Sequence, residues 1–463
     1  MNWFKNIYIL LPPLIYLPTL LNFFSGDDWF HLRITQISSL GEFLNFFSFF
    51  HTTQSATFYR PLSTQTFFFV FQKLFSLTAW PYYLFVLICF GYSLYLVYCF
   101  ALSRFKDKDK SLLTAFIYGI SVSNFTRLYF LSAFQEIVLV IFSLLCLLSF
   151  EKSKLKSLIF FVLALLSKET AIVLPILLLI FNFKDIGKRI TGCIPFIVLS
   201  LIYLLLRFNL FGIAQGDSYV WNFSLVKAGN TLIWYMLWSI GSPEFLVDYI
   251  GSGFRPISRF FTDFSLWWPA ILGLLLGTST TLAVLFIGKR KKLDFNFFKY
   301  LLLFLLPLAP VIFLPQHKFS LELGLPLVGF SLLVVNLLLE RKTVLSIIFF
   351  SFYIALNLSM NYLTYSRHYA VSRGNISRSV YKYISKNYPI LPQKQYFEFI
   401  NDVGDYGKEW GQSKQISQAL SSSDFFKVYY KNKDVKVYYQ DMVEGRPINR
   451  EPIILSSKQF LSQ

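Results

Sequence analysis

Apolar runs long enough to cross a bilayer, about 20 residues each, alternate along this chain with short polar breaks. The first run covers residues 4–24 and is followed by a polar, aromatic stretch at 25–66. Residues 66–80, interrupted by Gln72 and Lys73, are predicted to lie as a helix in the membrane interface. Crossings are predicted at 81–103, 112–130 and 134–150. Two shorter runs at 157–166 and 171–183 meet at the polar stretch 167–170. Residues 190–208, 267–288, 299–314, 320–339 and 343–363 complete the pattern, about eleven crossings in all. Between them, 209–266 reads as a second large loop with a short apolar helix at 231–240. From 364 the chain turns polar and tyrosine-rich. Alternation at 426–430 and 435–439 predicts strands there.

The fold class that follows is an all-α polytopic membrane protein, with a small C-terminal extramembrane α/β domain at 364–463. The membrane domain is 1–363, with external loops at 25–80 and 209–266. Composition agrees: 55% of residues are hydrophobic and 20% aromatic, so a lipid bilayer is the expected surrounding. The net charge of +18 suggests nucleic acid, but the Lys and Arg residues punctuate apolar runs as cytoplasmic loops do, and no nucleic-acid partner is expected. Breaks such as Arg104–Lys106–Lys108–Lys110 and Lys152–Lys154–Lys156 fall on one side. That puts the N-terminus in the cytoplasm and the C-terminus outside, most simply across the cell membrane. No cleavage pattern follows the first apolar run, which is read as a retained helix. The four cysteines sit inside apolar runs with no CxxC spacing, so neither a zinc site nor a disulfide framework is indicated.

The same parity gathers carboxylates, cations and histidines on the outer face: Asp27, Asp28, Glu136, Glu169, Glu322, Arg60, Arg127, Lys168, Lys318, His31, His51 and His317. Each has a structural reading. Asp27 and Asp28 could be solvated loop residues, Lys168 and Glu169 an ion pair, and Arg60 before Pro61 a helix start. Together, acids and cations converging at one face suit a phosphate-bearing lipid and a polar acceptor. Cations offset charge on a leaving phosphate, and a carboxylate takes the proton of an attacking hydroxyl. No Walker A loop, dinucleotide fingerprint, GxSxG or HExxH motif occurs, so the energy would arrive in an activated lipid-linked substrate.

Three blocks carry a resemblance: Gly26-Asp27-Asp28, Tyr59-Arg60-Pro61-Leu62, and Ser167-Lys168-Glu169-Thr170 running on to Pro175. A looser one covers Gln316 to Pro326. They resemble the GT-C superfamily of integral-membrane glycosyltransferases, closest to the branch of protein O-mannosyltransferases (glycosyltransferase family 39) and their TPR-bearing relatives. The resemblance covers about residues 1–339 and leaves the C-terminal region out. It implies a polyprenyl-phosphate-linked sugar donor and inverting transfer to an acceptor, whether protein, lipid or glycan. It also implies Asp27 or Asp28 as general base, Asp28 being preferred, with Glu136 as a second acid. Lys168, Lys318, Arg60 and His317 fall to the donor phosphate. Some relatives use a divalent metal ion as cofactor and others do not, and the residues leave both open. The competing class is a transporter or flippase of a lipid-linked or anionic solute, which intramembrane charges and broken helices also fit. A polysaccharide polymerase or ligase would share the chemistry.

Overall fold

The computed structural model describes residues 9, 11–50, 52–56, 58–181, 186–212, 216, 219–290, 294–338, 344–402, 410–431, 435–442, 445–447 and 449–461. The start of the expected first crossing, His51, and the basic break at 341–342 lie outside that set.

Among the described residues five helices are long and apolar enough to cross a membrane: Trp80–Phe105, Leu131–Ser149, Ile190–Phe211, Trp268–Lys289 and Val344–Asn387. Each overlaps an expected crossing, and Val344–Asn387 extends well past the expected end at 363. Their outer faces carry bare aliphatic and aromatic side chains such as Ile88, Tyr95, Leu201, Leu205 and Leu276, as lipid-facing helices do. Leu131–Ser149 differs: 83% of its most apolar stretch is buried, which makes it the central helix of the bundle. Trp80–Phe105 packs against it on one side and against Lys108–Ile120 on the other.

The other apolar runs form shorter helices. The run at 112–130 is broken after Ile120 by a 3-10 turn, Val122–Asn124, and resumes as Phe125–Tyr129. Lys108–Ile120 is 13 residues long, about 20 Å at 1.5 Å per residue, short of a hydrocarbon core of about 30 Å. The Asn124 amide bonds to the carbonyls of Tyr118 (2.6 Å) and Gly119 (3.3 Å), meeting backbone acceptors the broken helix leaves free. Phe295–Leu305 and Pro326–Leu338 are also short, and they pack face to face. A side chain at Gly329 would come within 2.5 Å of the Phe304 backbone, so only glycine allows that approach.

Val344–Arg367 runs past the expected boundary at 363, and a polar helix, Tyr369–Asn387, follows after His368. Beyond it lies a three-stranded, all-parallel sheet in the order β2-β1-β3, with β1 at Gln395–Ile400, β2 at Val437–Tyr439 and β3 at Glu451–Ser456. The strand expected within 435–439 is β2. The one expected at 426–430 is instead a helix, Asp424–Tyr429. Parallel strands need a crossover, and a helix here covers the sheet. Its Phe426 ring lies 4.8 Å from Phe397 on β1, so tertiary packing overrides the local alternation. β1 buries Tyr396, Phe397, Glu398 and Phe399 in succession, the pattern of a strand covered on both faces.

Candidate active site

The opening loop supplies the first wall. Gly26 has φ +52° and caps the helix Asp27–Ile34, a backbone conformation that favours glycine. Both aspartates occupy that helix's first turn, where its dipole favours negative charge. Their environments then separate. Asp28 is fully buried, and its carboxylate accepts from Ser25 N–H (3.0 Å), Ser132 N–H (2.9 Å) and Ser132 Oγ–H (2.7 Å). Burial pushes its carboxyl up to about 7 against the pull of these donors. Asp28 thus ties the loop to the start of the central helix. Asp27 is exposed and lines a cavity of ≈ 960 Å³. The protein mass around the cavity raises its carboxyl above the usual range, with Arg373 opposing and Asp424 adding to the shift.

The second wall is a network of buried charge. The turn Pro61–Thr66 is strapped to the segment before Lys168: Leu62 N–H donates to Leu166 O (3.1 Å) and Ser63 Oγ–H to Ser167 O (2.7 Å). This brings Arg60 onto Glu169, with Nε at 2.9 Å from Oε2 and Nη2 bonded to Oε1. Lys168, about 1% exposed, pairs with Glu136 on the central helix and with Glu322 at 2.6 Å. Arg127 donates to Asn124 through Nη2, while its Nη1 is buried with no hydrogen-bond partner among the described residues. A Cβ at Gly324 would lie 3.0 Å from Glu136 Oε2 and 3.3 Å from Arg127 Nη1, so both groups close over that glycine. Three acids and three cations therefore share this wall: Glu136, Glu169 and Glu322 with Arg60, Arg127 and Lys168.

The structure thus brings together the 59–62, 167–170 and 316–326 blocks, far apart in sequence. Arg60, Glu322 and His317 reach the cavity lining, whereas Glu136, Lys168 and Lys318 do not. Lys318 is half-buried and makes no ion pair with a described residue. The His317 ring stacks at 4.2 Å on Tyr219, and burial lowers its pKa. His31 also lines the cavity, its ring 5.3 Å from Phe68, and burial holds it neutral at about 3. No group of three or more His, Cys, Asp or Glu side chains that could hold a metal ion occurs among the described residues. Asp27 and Asp28 diverge, and the acids of the second wall are already paired with cations, so this donor set does not fit a divalent ion.

Several lining groups escaped the sequence reading. The C-terminal region closes the cavity with Ser417, Gln418, the turn at 421–423 and Asp424, which pairs with Arg33 at 2.6 Å. The helix Tyr369–Asn387 adds Tyr369 and Arg373. Beside them, Glu244 accepts from Ser320 N–H (2.7 Å) and Ser320 Oγ–H (2.6 Å). His368 Nδ1 accepts from Ala370 N–H (3.1 Å), so Nε2 carries the proton toward Thr126 (3.1 Å) and Glu244 (3.7 Å). Nothing in the local sequence marks these residues, because they meet only when distant segments pack.

No protein family matches the chain, and no curated protein matches it. Among solved structures, it is similar to the archaeal oligosaccharyltransferase AglB from Archaeoglobus fulgidus, in complex with an inhibitory peptide and a dolichol-phosphate, at 11% identity and TM-score 0.45. The match covers 90% of this chain and 64% of that one.

Proposed function

We propose that this chain is a membrane glycosyltransferase of the GT-C type, moving a sugar from a polyprenyl-phosphate-linked donor to an acceptor hydroxyl with inversion. The protein O-mannosyltransferase branch is the nearest kin that its sequence blocks suggest. One observation carries the reading: a single large cavity presents the open carboxylate of Asp27 together with the guanidinium of Arg60.

Asp27 is assigned as general base, in preference to Asp28, whose carboxylate is occupied by three protein donors. The acceptor oxygen attacks the anomeric carbon, its proton passes to Asp27, and the bond from that carbon to the phosphate oxygen breaks. The lipid phosphate leaves with the bonding electrons. Arg60 spends Nε and Nη2 on Glu169 and keeps further N–H groups for a phosphate oxygen. His317 stands near it on the segment that also carries Glu322 and Lys318. Lys168 has two carboxylates on its ammonium, so its assigned part is to hold Glu136 and Glu322 in place. Glu136 contributes through that pairing rather than by touching substrate.

Asp27→Asn keeps the shape and removes the proton acceptor. With purified protein and a panel of polyprenyl-phosphate sugars, transfer should fall about a hundred- to ten-thousand-fold while donor binding persists. Full turnover by Asp27→Asn would overturn the assignment. Transport of the intact donor across vesicles, with its phosphosugar bond unbroken, would place the chain among transporters instead.

A further inference from the structure

The cavity lining falls into two groups of neighbours. Arg60, His317 and Glu322 interact with one another and with Tyr219. Asp27 interacts with Arg373 and Asp424, and the residue before it is bonded to the C-terminal region through Gly26 N–H on Ala419 O at 2.8 Å. The first group holds Arg60 and His317, both assigned to the donor phosphate. The second has a different chemistry. Hydroxyls and one amide dominate it, from Ser417, Gln418 and the turn at 421–423. Two aromatic rings share the lining, Phe130 and Tyr369, 6.3 Å apart and nearly perpendicular, with the Arg373 guanidinium 5.0 Å over Tyr369.

The turn is held firmly. Ser421 and Ser422 are both left-handed, at φ +50° and +53°. Ser422 N–H donates to Ser417 O (2.8 Å), Tyr439 Oη–H donates to Ser422 O (2.8 Å), and Ser421 Oγ–H donates to Asp424 (3.1 Å). Such strain persists where the surroundings over-determine it, often at binding sites. Among the described residues, the Gln418 amide and the Ser423 hydroxyl have no hydrogen-bond partner, and both residues line the cavity.

We infer that this end of the cavity is the acceptor subsite and that its acceptor is a saccharide; the inference rests on the glycosyl-transfer reading above. Sugar hydroxyls both donate and accept, which serine hydroxyls and a glutamine amide answer equally. The apolar C–H face of a sugar ring packs on an aromatic ring, and a few convergent polar groups then orient it. A peptide could not add here as a further strand, because no residue of β1, β2 or β3 lines this cavity. A saccharide seated here would have its hydroxyl beside Asp27, the assigned base.

The test uses the full chain in lipid nanodiscs, a glycan array of neutral oligosaccharides, and the variants Gln418→Ala and Ser423→Ala. Both positions are partly exposed and without side-chain partners, so folding is not at stake. At least one oligosaccharide should bind the parent protein. Each variant should weaken that binding about three- to tenfold, the scale of one neutral hydrogen bond, while affinity for a polyprenyl-phosphate sugar stays unchanged. An array without binders, binding unmoved by both variants, or transfer only to a serine- or threonine-bearing peptide would overturn the inference. Oligosaccharide binding that the variants weaken, without sugar transfer from any lipid-linked donor, would uphold the subsite and count against the transferase reading alone.

Discussion

Asp27 and Asp28 are identical residues in one helical turn, and a hundred-degree step around that helix gives them opposite fates. Asp27 opens to the cavity; Asp28 is sealed against Ser132. The raised pKa of Asp28 has a definite consequence for stability. A carboxyl whose folded pKa lies near 7, above an unfolded value near 3.8, binds its proton more tightly in the folded state. Its contribution is therefore fully present below about pH 4 and is lost as pH rises through about 7. Thermal melts of the parent protein should lose midpoint between pH 5 and 8 relative to Asp28→Asn, which carries no titrating group there. Parallel pH profiles for the two proteins would show that Asp28 does not titrate in this range. Glu244 illustrates the opposite balance. Burial alone would raise it, but the contact with His368 and the hydrogen bonds from Ser320 outweigh that and keep it below the usual range.

At the scale of elements, short irregular pieces do most of the positioning. The Pro61–Thr66 turn is anchored by hydrogen bonds to residues 166 and 167, which turns two distant sequence blocks into one Arg60–Glu169 contact. The helix Asp27–Ile34 is held from both sides, by Ser132 on the bundle and by Ala419 on the C-terminal region. Trp29 strengthens the second hold: its indole N–H donates to Ser377 Oγ at 2.9 Å, and its ring meets Phe425 edge-on at 4.9 Å. The hinge of this arrangement is Gly26. A Cβ there would make only ordinary contact with Gln418 O, at 3.5 Å, so the cost of Gly26→Ala is backbone strain rather than collision. It should lower stability by about 1–3 kcal/mol in chemical denaturation and misplace Asp27, reducing turnover. An unchanged denaturation midpoint would mean that the positive φ is not required.

For the whole molecule, the C-terminal region is part of the site wall, and its docking on the first loop demands that both lie on one side of the membrane. The central helix gives the opposite reference point. Glu136 stands near its cavity end, and Glu151 follows its far end, about 22 Å away at 1.5 Å per residue. In a variant without its four native cysteines, single cysteines at Thr53 and Gln393 should react with an impermeant reagent from outside intact cells. A cysteine at Glu151 should react only after permeabilisation. Labelling of Thr53 without Gln393, or of all three, would refute this topology.

The sequence by itself determined the class of structure. Apolar run length marked each of the five long helices, because a spanning helix must be continuous and apolar along its whole length. Among the side chains it singled out, Lys168 pairs with Glu136 and Glu322, and Arg60 pairs with Glu169. Tertiary structure decided the rest. Which of two adjacent aspartates opens to the cavity depends on what packs across the helix, and no local pattern records that. The pairing of Lys168 with two carboxylates depends on contacts 32 and 154 residues apart in sequence. The buried strand β1 carries no alternation because both of its faces are covered, and the helix Asp424–Tyr429 carries a misleading one because the sheet dictates a crossover there. The serine turn became part of the site only when the C-terminal region closed over the first loop, a contact made by residues almost 400 positions apart.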